Sequence, residues 1–558
     1  MTDYESSTAF LGEWGRFQQT VFFLLCLTSV SNGFAIIAVI FLTATPQHHC
    51  LVPADLNLTA AWTNHSIPLE EDDTRGGVLV PSQCFRYKLE DIRSFSERGL
   101  LPGVDVNLSS VATEGCLDGW VYDQSVSHST ITTEWNLVCD ESWKTPLTSS
   151  IFFLGVFTGS FFSGQLSDRY GRKIVLFACL GIQAVFTLIQ LFSSSWTMFC
   201  IIHFVVGIGQ VSNFVAAFVL GTEILSPRVR TVFSTLGMSV FFGFGYMMLP
   251  VAAYFIRDWR MLLVGLALPC LLLMPLWWFI PESPRWLLSQ GRVEEAVAIV
   301  KAAAKMNNIE PPQVIFSPLL KELQVQKKTP HNFCDLLRTR NIRWISITLW
   351  LVWNTVAIAY FALSLNAINL HGNAYLNCFL SGLVEIPAYV LSWVMFHWWS
   401  RRLSLFSTFI VGGLFLLIVQ ILPTNLVSLA ITLEMTGKSS LSIAYGIVYA
   451  YSAEVYPTVL RNTAIGACSM AARLGSVTAP FFIYLRSYSV KLPYILMGSL
   501  TIGSGLLSLL LPETFGMPLP DTITHMQPFP GCCVKTPYTL TDTEEKSTAP
   551  EETNLKPK

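Results

Sequence analysis

Apolar runs about 20 residues long recur along nearly the whole chain, each able to cross roughly 30 Å of hydrocarbon as a helix, and this recurrence limits the possible folds more than any other feature. About twelve can be read, over residues 20–42, 146–166, 174–193, 197–220, 231–256, 262–280, 342–364, 375–397, 404–422, 426–450, 464–485 and 492–511. The pattern predicts an all-α membrane protein. Composition agrees, with 52% hydrophobic and 13% charged residues, where soluble proteins carry roughly a quarter charged. The net charge of −2 says little; the placement of the charges says more. The stretch before the first run is acidic (Asp3, Glu5, Glu13) and lacks a small-residue cleavage site, so the first run is expected to stay in the mature protein.

Between the first two runs lies a polar loop, 43–143, holding three N-glycosylation sequons at Asn57, Asn64 and Asn107, which together place it outside the cell. The same loop holds Cys50, Cys84, Cys116 and Cys139, an even number in an oxidising compartment, which reads as two disulfides. Spacing alone leaves three connectivities open. Basic residues fall on alternate connections: Arg169, Arg172 and Lys173, then Arg228 and Arg230, the 281–341 segment, and Arg401 with Arg402. That alternation is the positive-inside pattern, with Arg257 and Arg260 a local exception. It predicts a multi-pass plasma-membrane protein with both termini cytoplasmic. The tail, 512–558, is expected to be disordered.

An internal repeat divides the chain. Glu223 and Arg230 close the segment after the fourth run, and Glu454 and Arg461 close the matching segment after the tenth, each pair offset by 231 residues. Pro281-Glu282-Ser283 and Pro512-Glu513-Thr514 share that offset. Two six-helix halves, 20–280 and 342–511, are therefore expected, flanked by the N-terminus 1–19 and joined by the cytoplasmic linker 281–341. Parallel repeats of this kind place a substrate site between the halves near the midplane.

After the second run stands Gly164-Gln165-Leu166-Ser167-Asp168-Arg169-Tyr170-Gly171-Arg172-Lys173. Its glycines suit a tight turn, and its Asp and Arg groups suit pairing with a helix end or with Glu223 to lock an inner gate. The loop resembles the signature of the major facilitator superfamily, which implies alternating access by rocking of two halves. Ser234-Thr235-Leu236-Gly237, Pro281-Glu282-Ser283-Pro284-Arg285-Trp286-Leu287 and Ala453-Glu454-Val455-Tyr456-Pro457-Thr458, with the four-cysteine loop, resemble its organic-ion transporters. Ala9-Phe10-Leu11-Gly12-Glu13-Trp14-Gly15, residues 255–262 and Leu492-Pro493-Tyr494-Ile495-Leu496-Met497-Gly498-Ser499-Leu500 resemble the organic cation/carnitine branch. Within that branch, residues 305–309 and 374–380 are similar to the ergothioneine-preferring member.

The resemblance implies uptake of betaines such as carnitine or ergothioneine, with no cofactor but sodium as a coupling ion, and disulfides pairing Cys50 with Cys116 and Cys84 with Cys139. It also implies a small-molecule substrate and the bilayer as partners, no nucleic acid, and a monomer. Where the branch often has Gly-Lys-Ser after the fourth run, Ser226-Pro227-Arg228 stands here, which argues against nucleotide binding at that point.

Ionisable groups in mid-membrane are costly and mark a pathway by default. Arg473, in the eleventh run, presents a fork suited to a carboxylate. Relatives that carry simple cations tend to have Asp at the matching position, so the resemblance implies a carboxylated substrate. The competing reading pairs Arg473 permanently with a protein carboxylate, for which Glu385 is the obvious partner, unless Glu385 itself senses a cation. Glu434 and Lys438, four apart, are expected to form a local helix pair. A quaternary ammonium is held by aromatic faces, and Phe214, Phe218, Tyr360, Tyr445 and Tyr449 match the family's cage. Periodicity alone favours packing for such rings. Asn32, Gln183 and Gln210 match positions that the branch links to sodium, with interhelical hydrogen bonding as the equal alternative.

A membrane-embedded enzyme would need a metal-binding spacing or a phosphate loop, and neither is present; His203, His371 and His397 are scattered. A channel or receptor needs no two-half repeat with gate motifs. Among transporters, the alternative is a polyspecific, sodium-independent uniporter of organic cations.

Overall fold

The computed structural model describes residues 4, 7–72, 78–125, 128–316, 333–370, 372–423, 426–457, 460–517, 520 and 526–529. Ten helices among them are long and apolar enough to cross a membrane: Arg16–Leu42, Cys139–Tyr170, Arg172–Phe192, Trp196–Ile224, Pro227–Phe255, Trp259–Trp278, Arg340–Asn369, Ala374–Trp398, Arg401–Val419 and Thr463–Ser487. Two more complete the expected twelve spans. Val427–Val455 is 29 residues long and carries Glu434, Lys438 and Glu454, while Leu492–Ser508 is apolar but shorter, at 17 residues. Below they are numbered as spans one to twelve in chain order, with Val427–Val455 the tenth and Leu492–Ser508 the twelfth.

Packing follows the repeat. The first span lies on the fifth, the third on the fourth and sixth, and correspondingly the seventh on the eleventh and the ninth on the tenth and twelfth. Between halves the second span meets the eleventh and the fifth meets the eighth, as a two-fold relation requires. Without a hydrophobic force between helices in lipid, such contacts rely on small residues that let backbones approach. Gly33 and Gly245 do this between the first and fifth spans: a Cβ on Gly33 would stand 2.0 Å from Phe242 O, and one on Gly245 2.1 Å from Val30 O. Gly475 lets the eleventh span press onto Asn354 O of the seventh, where a Cβ would meet it at 2.5 Å.

The 43–143 loop folds into three two-stranded sheets, pairing His48–Cys50 with Trp120–Tyr122, Leu69–Asp72 with Val78–Pro81, and Phe85–Tyr87 with Thr113–Gly115. Disulfides join Cys50 to Cys116 and Cys84 to Cys139, the pairing the resemblance implied. Arg86, 1% exposed, binds Glu114 at 2.9 Å and Asp118 at 2.6 Å and ties the loop together from within. Asn57, Asn64 and Asn107 are all exposed. We call this end of the bundle the loop face and the opposite end, where Asp168 and Glu454 lie, the motif face.

The 281–341 segment contains helices Pro284–Ser289 and Val293–Met306. Asn307, just beyond them, docks on the N-terminal half: its Nδ2 donates to Leu11 O at 3.0 Å and Gln18 Oε1 at 2.9 Å, and its Oδ1 accepts from Phe17 N at 2.9 Å. In the tail, Phe529 N donates to Asn341 Oδ1 at 2.7 Å and Met526 is buried, whereas residues 530–558 lie outside the described residues. His203 is buried between Phe152 and Phe199; His371 lies outside the described residues.

The side-chain hydrogen bonds and ring contacts described between the halves sit toward the loop face. Tyr375 of the eighth span stacks on Phe41 at 5.6 Å and meets Tyr254 edge-on at 5.6 Å. Phe153 meets Phe361 at 4.9 Å, Ser150 Oγ donates to Val477 O at 2.7 Å, and Ser142 Oγ lies 3.3 Å from Tyr484 Oη. The conformation is therefore one closed toward the loop face.

Candidate transport site

Four aromatic rings of the C-terminal half form one wall. Trp353 and Tyr360 come from the seventh span, one on each side of Tyr445 of the tenth, at 5.6 and 5.7 Å, and Trp353 also meets Tyr449 at 5.4 Å. Spacings of seven residues on the seventh span and four on the tenth place these rings on facing helix surfaces. Trp353 is fixed by donating its indole N–H to Ser452 Oγ at 2.9 Å, and Tyr449 remains 42% exposed. Arg473 of the eleventh span stands close enough for its charge to act on both Tyr445 and Tyr449. It is half-buried, and among the described residues its guanidinium has no ion-pair or side-chain hydrogen-bond partner.

Glu385 does not pair with Arg473, so the competing reading of Arg473 finds no support there. Its Oε1 lies 3.1 Å from Lys438 Nζ and accepts from Tyr360 Oη at 2.7 Å, with side-chain exposures of 0% for Glu385 and 2% for Lys438. Lys438 therefore does not form the expected helix pair with Glu434. The apolar interior sets the choice: a buried ammonium needs several donors' worth of partners, and the eighth span supplies them. Lys438 Nζ donates to Ser381 O at 2.9 Å, to Ser381 Oγ, and to Tyr246 Oη of the N-terminal half at 3.0 Å, with the Tyr246 ring centre 4.3 Å away. Glu434 instead accepts from Tyr494 Oη at 3.2 Å and Asn366 Nδ2 at 3.3 Å. Phe214 and Phe218 lie on the opposite half, half-buried, with the Phe218 ring 6.5 Å from Phe233; no contact joins them to the four-ring wall among the described residues.

Asn32, Gln183 and Gln210 do come together, through Asn213, which the sequence reading missed. Asn32 Nδ2 donates to Asn213 Oδ1 at 2.7 Å, Asn213 Nδ2 to Gln183 Oε1 at 2.7 Å, and Gln210 Nε2 to Asn32 O at 3.1 Å. Asn32 Oδ1 and Gln210 Oε1 are buried without a donor.

Residues 100–523 match the family model described as sugar (and other) transporter. The chain is 54% identical to organic cation/carnitine transporter 2 of Homo sapiens over 94% of each chain, and 52% identical to solute carrier family 22 member 4 of Mus musculus over 98% of each. The chain belongs to the organic cation/carnitine transporter family. Its fold matches the inward open xylose transporter XylE from E. coli, with TM-score 0.59, 13% identity, and coverage of 90% of this chain and 98% of that one. XylE bound to 6-bromo-6-deoxy-D-glucose matches at TM-score 0.58, again at 13% identity, and both likenesses bear on fold alone. As a member of this transporter family the chain is not an enzyme.

The motif face of this transporter carries two matching charge clusters. Arg172 Nε and Nη2 each bind Glu223 at 3.1 Å, while Nη2 also binds Asp168 at 2.8 Å. Arg401 Nε and Nη2 each bind Glu454 at 3.1 Å. Glu282 accepts the backbone N–H groups of Arg172 and Lys173 at 3.0 and 3.1 Å, and Glu513 those of Arg401 and Arg402 at 3.0 and 3.2 Å. Each carboxylate thus caps a helix N-terminus with complementary charge. Gly171, at φ +105°, is required for its turn, because a Cβ there would meet Glu282 Oε2 at 2.6 Å. Arg169 is exposed over Tyr170, Arg230 Nη2 donates to Leu225 O at 3.3 Å, and Arg461, half-buried, stands two residues before the eleventh span at the start of its helix. Arg401 escaped the repeat comparison because it sits 229 residues after Arg172, two short of the common offset.

Burial alone would push the Glu513 carboxyl up, but Ser400 Oγ and the amides of Phe515, Arg401 and Arg402 outweigh it and hold it below the ordinary 4.5. A depressed carboxyl adds stability above its unfolded value, and that stability is lost as pH falls through the folded one. Glu513→Gln is therefore expected to speed hydrogen exchange at the Arg401 and Arg402 amides at neutral pH. The gap from the parent protein should close under acid conditions; a gap that persists unchanged there would contradict the cap.

Proposed function

We propose that the chain is a plasma-membrane secondary transporter of zwitterionic or cationic metabolites, such as carnitine, ergothioneine or related betaines, coupled to sodium and working by alternating access. The loop face is outside, both termini are cytoplasmic, and one copy suffices, since one chain supplies the whole site. The observation that carries this reading is Arg473, a half-buried guanidinium without a side-chain partner among the described residues, beside a wall of aromatic rings. A betaine presents the two complementary groups: a carboxylate for the guanidinium fork and a quaternary ammonium for the ring faces. The relatives' name, organic cation/carnitine transporter, agrees with that substrate class. The sodium part rests on the donor-free Asn32 and Gln210 amide oxygens.

A polyspecific, sodium-independent organic cation uniporter is the alternative. It is less well served, because the charge of Glu385 is already matched by Lys438 through Oε1, which leaves a simple cation only the buried Oε2. Uptake of labelled carnitine and ergothioneine by cells expressing the chain tests the reading. Saturable, counter-exchangeable uptake that slows several-fold when lithium or potassium replaces sodium is expected. A rate indifferent to the replacement would dismiss the coupling and favour the uniporter.

A further inference from the structure

Glu434 is a buried carboxyl that the transport site leaves unused. It is 3% exposed, and the groups that touch it are neutral: Tyr494 Oη of the twelfth span and Asn366 Nδ2 of the seventh, themselves 2.5 Å apart. Among the described residues no Lys or Arg pairs with it. Arg486, at the loop-face end of the eleventh span, acts on it only from a distance and donates to Asn369 O at 3.2 Å, while Asn369 Nδ2 donates to Asn366 Oδ1 at 3.3 Å. Arg486, Asn369 and Asn366 thus make a polar path from the loop-face surface to the carboxyl. One turn along the same helix stands Lys438, at the i,i+4 spacing that brings a Glu–Lys pair within reach. Yet Lys438 is held by Glu385, Ser381 and Tyr246, and Tyr246 belongs to the other half. One ammonium therefore has two carboxyls to choose from, and its present choice ties the halves together on the closed side.

We propose that Glu434 is a proton-binding site, reached from the loop face, whose occupancy decides which partner Lys438 takes and so latches or releases the contact between the halves. A neutral Glu434 leaves Lys438 on Glu385 and Tyr246. An anionic Glu434, having given its proton to water, is a buried charge that needs a counter-ion; it draws the ammonium off Tyr246 and Ser381 to a place shared with Glu385, which is itself buried and keeps its hydrogen bond from Tyr360, and the loop face is freed to open. Lys438 and Glu385 keep their charges throughout, so the step moves one proton and turns one ion pair into a shared one. Opening toward the loop face becomes more frequent as pH on that side rises.

The test places a reporter at Tyr375→Cys, in the contact with Phe41 and Tyr254, in the full-length chain on cells. Its rate of reaction with a membrane-impermeant thiol reagent is measured from about pH 6 to about pH 8.5. Dividing by the rate of Leu101→Cys, on the exposed loop, removes the thiol's own ionisation. The normalised rate is expected to rise with pH, to lose that rise in Glu434→Gln, and to regain it in Glu434→Asp. Carnitine uptake, whose substrate charge is constant over this range, should follow the same three profiles. The inference leans on the transport reading only for the uptake arm, so a reporter that responds while uptake is absent faults the substrate and spares the latch. A flat normalised rate with Glu434 intact overturns the proposal, as does a full rise in Glu434→Gln. Should Glu434→Gln fail to reach the surface, Tyr494→Phe must move the midpoint of the profile, and an unmoved midpoint is equally fatal.

Discussion

Arg473→Ala is expected to abolish saturable uptake of a carboxylated betaine while the protein still reaches the cell surface. The guanidinium is half-buried on the eleventh span and holds no carboxylate among the described residues, so its removal is expected to break no internal pair and to leave the fold intact. What is lost is the charge-assisted, two-point contact with the substrate acid. Removing one side of such a desolvated pair costs about 2–5 kcal/mol, which is roughly thirtyfold or more in transport efficiency. Arg473→Lys keeps the charge but not the fork and should fall between the two. Surface biotinylation beside labelled uptake measures both quantities. Normal uptake by the alanine variant would remove the case for a carboxylate subsite.

Gly33→Val is expected to leave almost no mature protein at the surface. A Cβ at Gly33 would stand 2.0 Å from Phe242 O and 2.9 Å from Phe242 C, both backbone atoms that no rotamer change can move. The first and fifth spans would have to part by about 1 Å, in an interior packed as densely as an organic crystal, at a cost above about 3 kcal/mol. Asn32, the next residue, would be carried away from Asn213, to which it now donates at 2.7 Å. Gly466→Ala, where a Cβ meets nothing within 4 Å, serves as the tolerated control. Surface labelling and the melting temperature of detergent-solubilised protein give the comparison, and a Gly33→Val protein melting like the parent would refute the close crossing.

Residues of the candidate site were readable to different depths. Arg473 stood out because charge inside an apolar run is a local signal, whereas Tyr360, Tyr445 and Tyr449 were named by the family resemblance, periodicity alone favouring packing; these four converge. Trp353 and Asn213 gave no such signal. One is a single aromatic in an aromatic-rich helix and the other a single amide, and each gains its role only from the helix opposite. The Glu434 and Lys438 spacing misled because a helix-surface rule assumes solvent around the pair. In this protein the tenth span is buried, and groups on the fifth and eighth spans claim Lys438 first.

By itself, the sequence determined the membrane-spanning helices, the two-fold repeat, the cysteine-bearing loop and the family, because each is written in composition, spacing or short motifs along one stretch of chain. Only the tertiary structure decided which ionic group answers which: Lys438 with Glu385, Glu434 with Tyr494 and Asn366, Arg401 with Glu454, and Arg473 with none of the described residues. The physical reason is that a charge removed from water is governed by whatever lies within a few ångströms of it. In a bundle those neighbours come from helices far apart in the chain, whose rotation and depth no local pattern specifies.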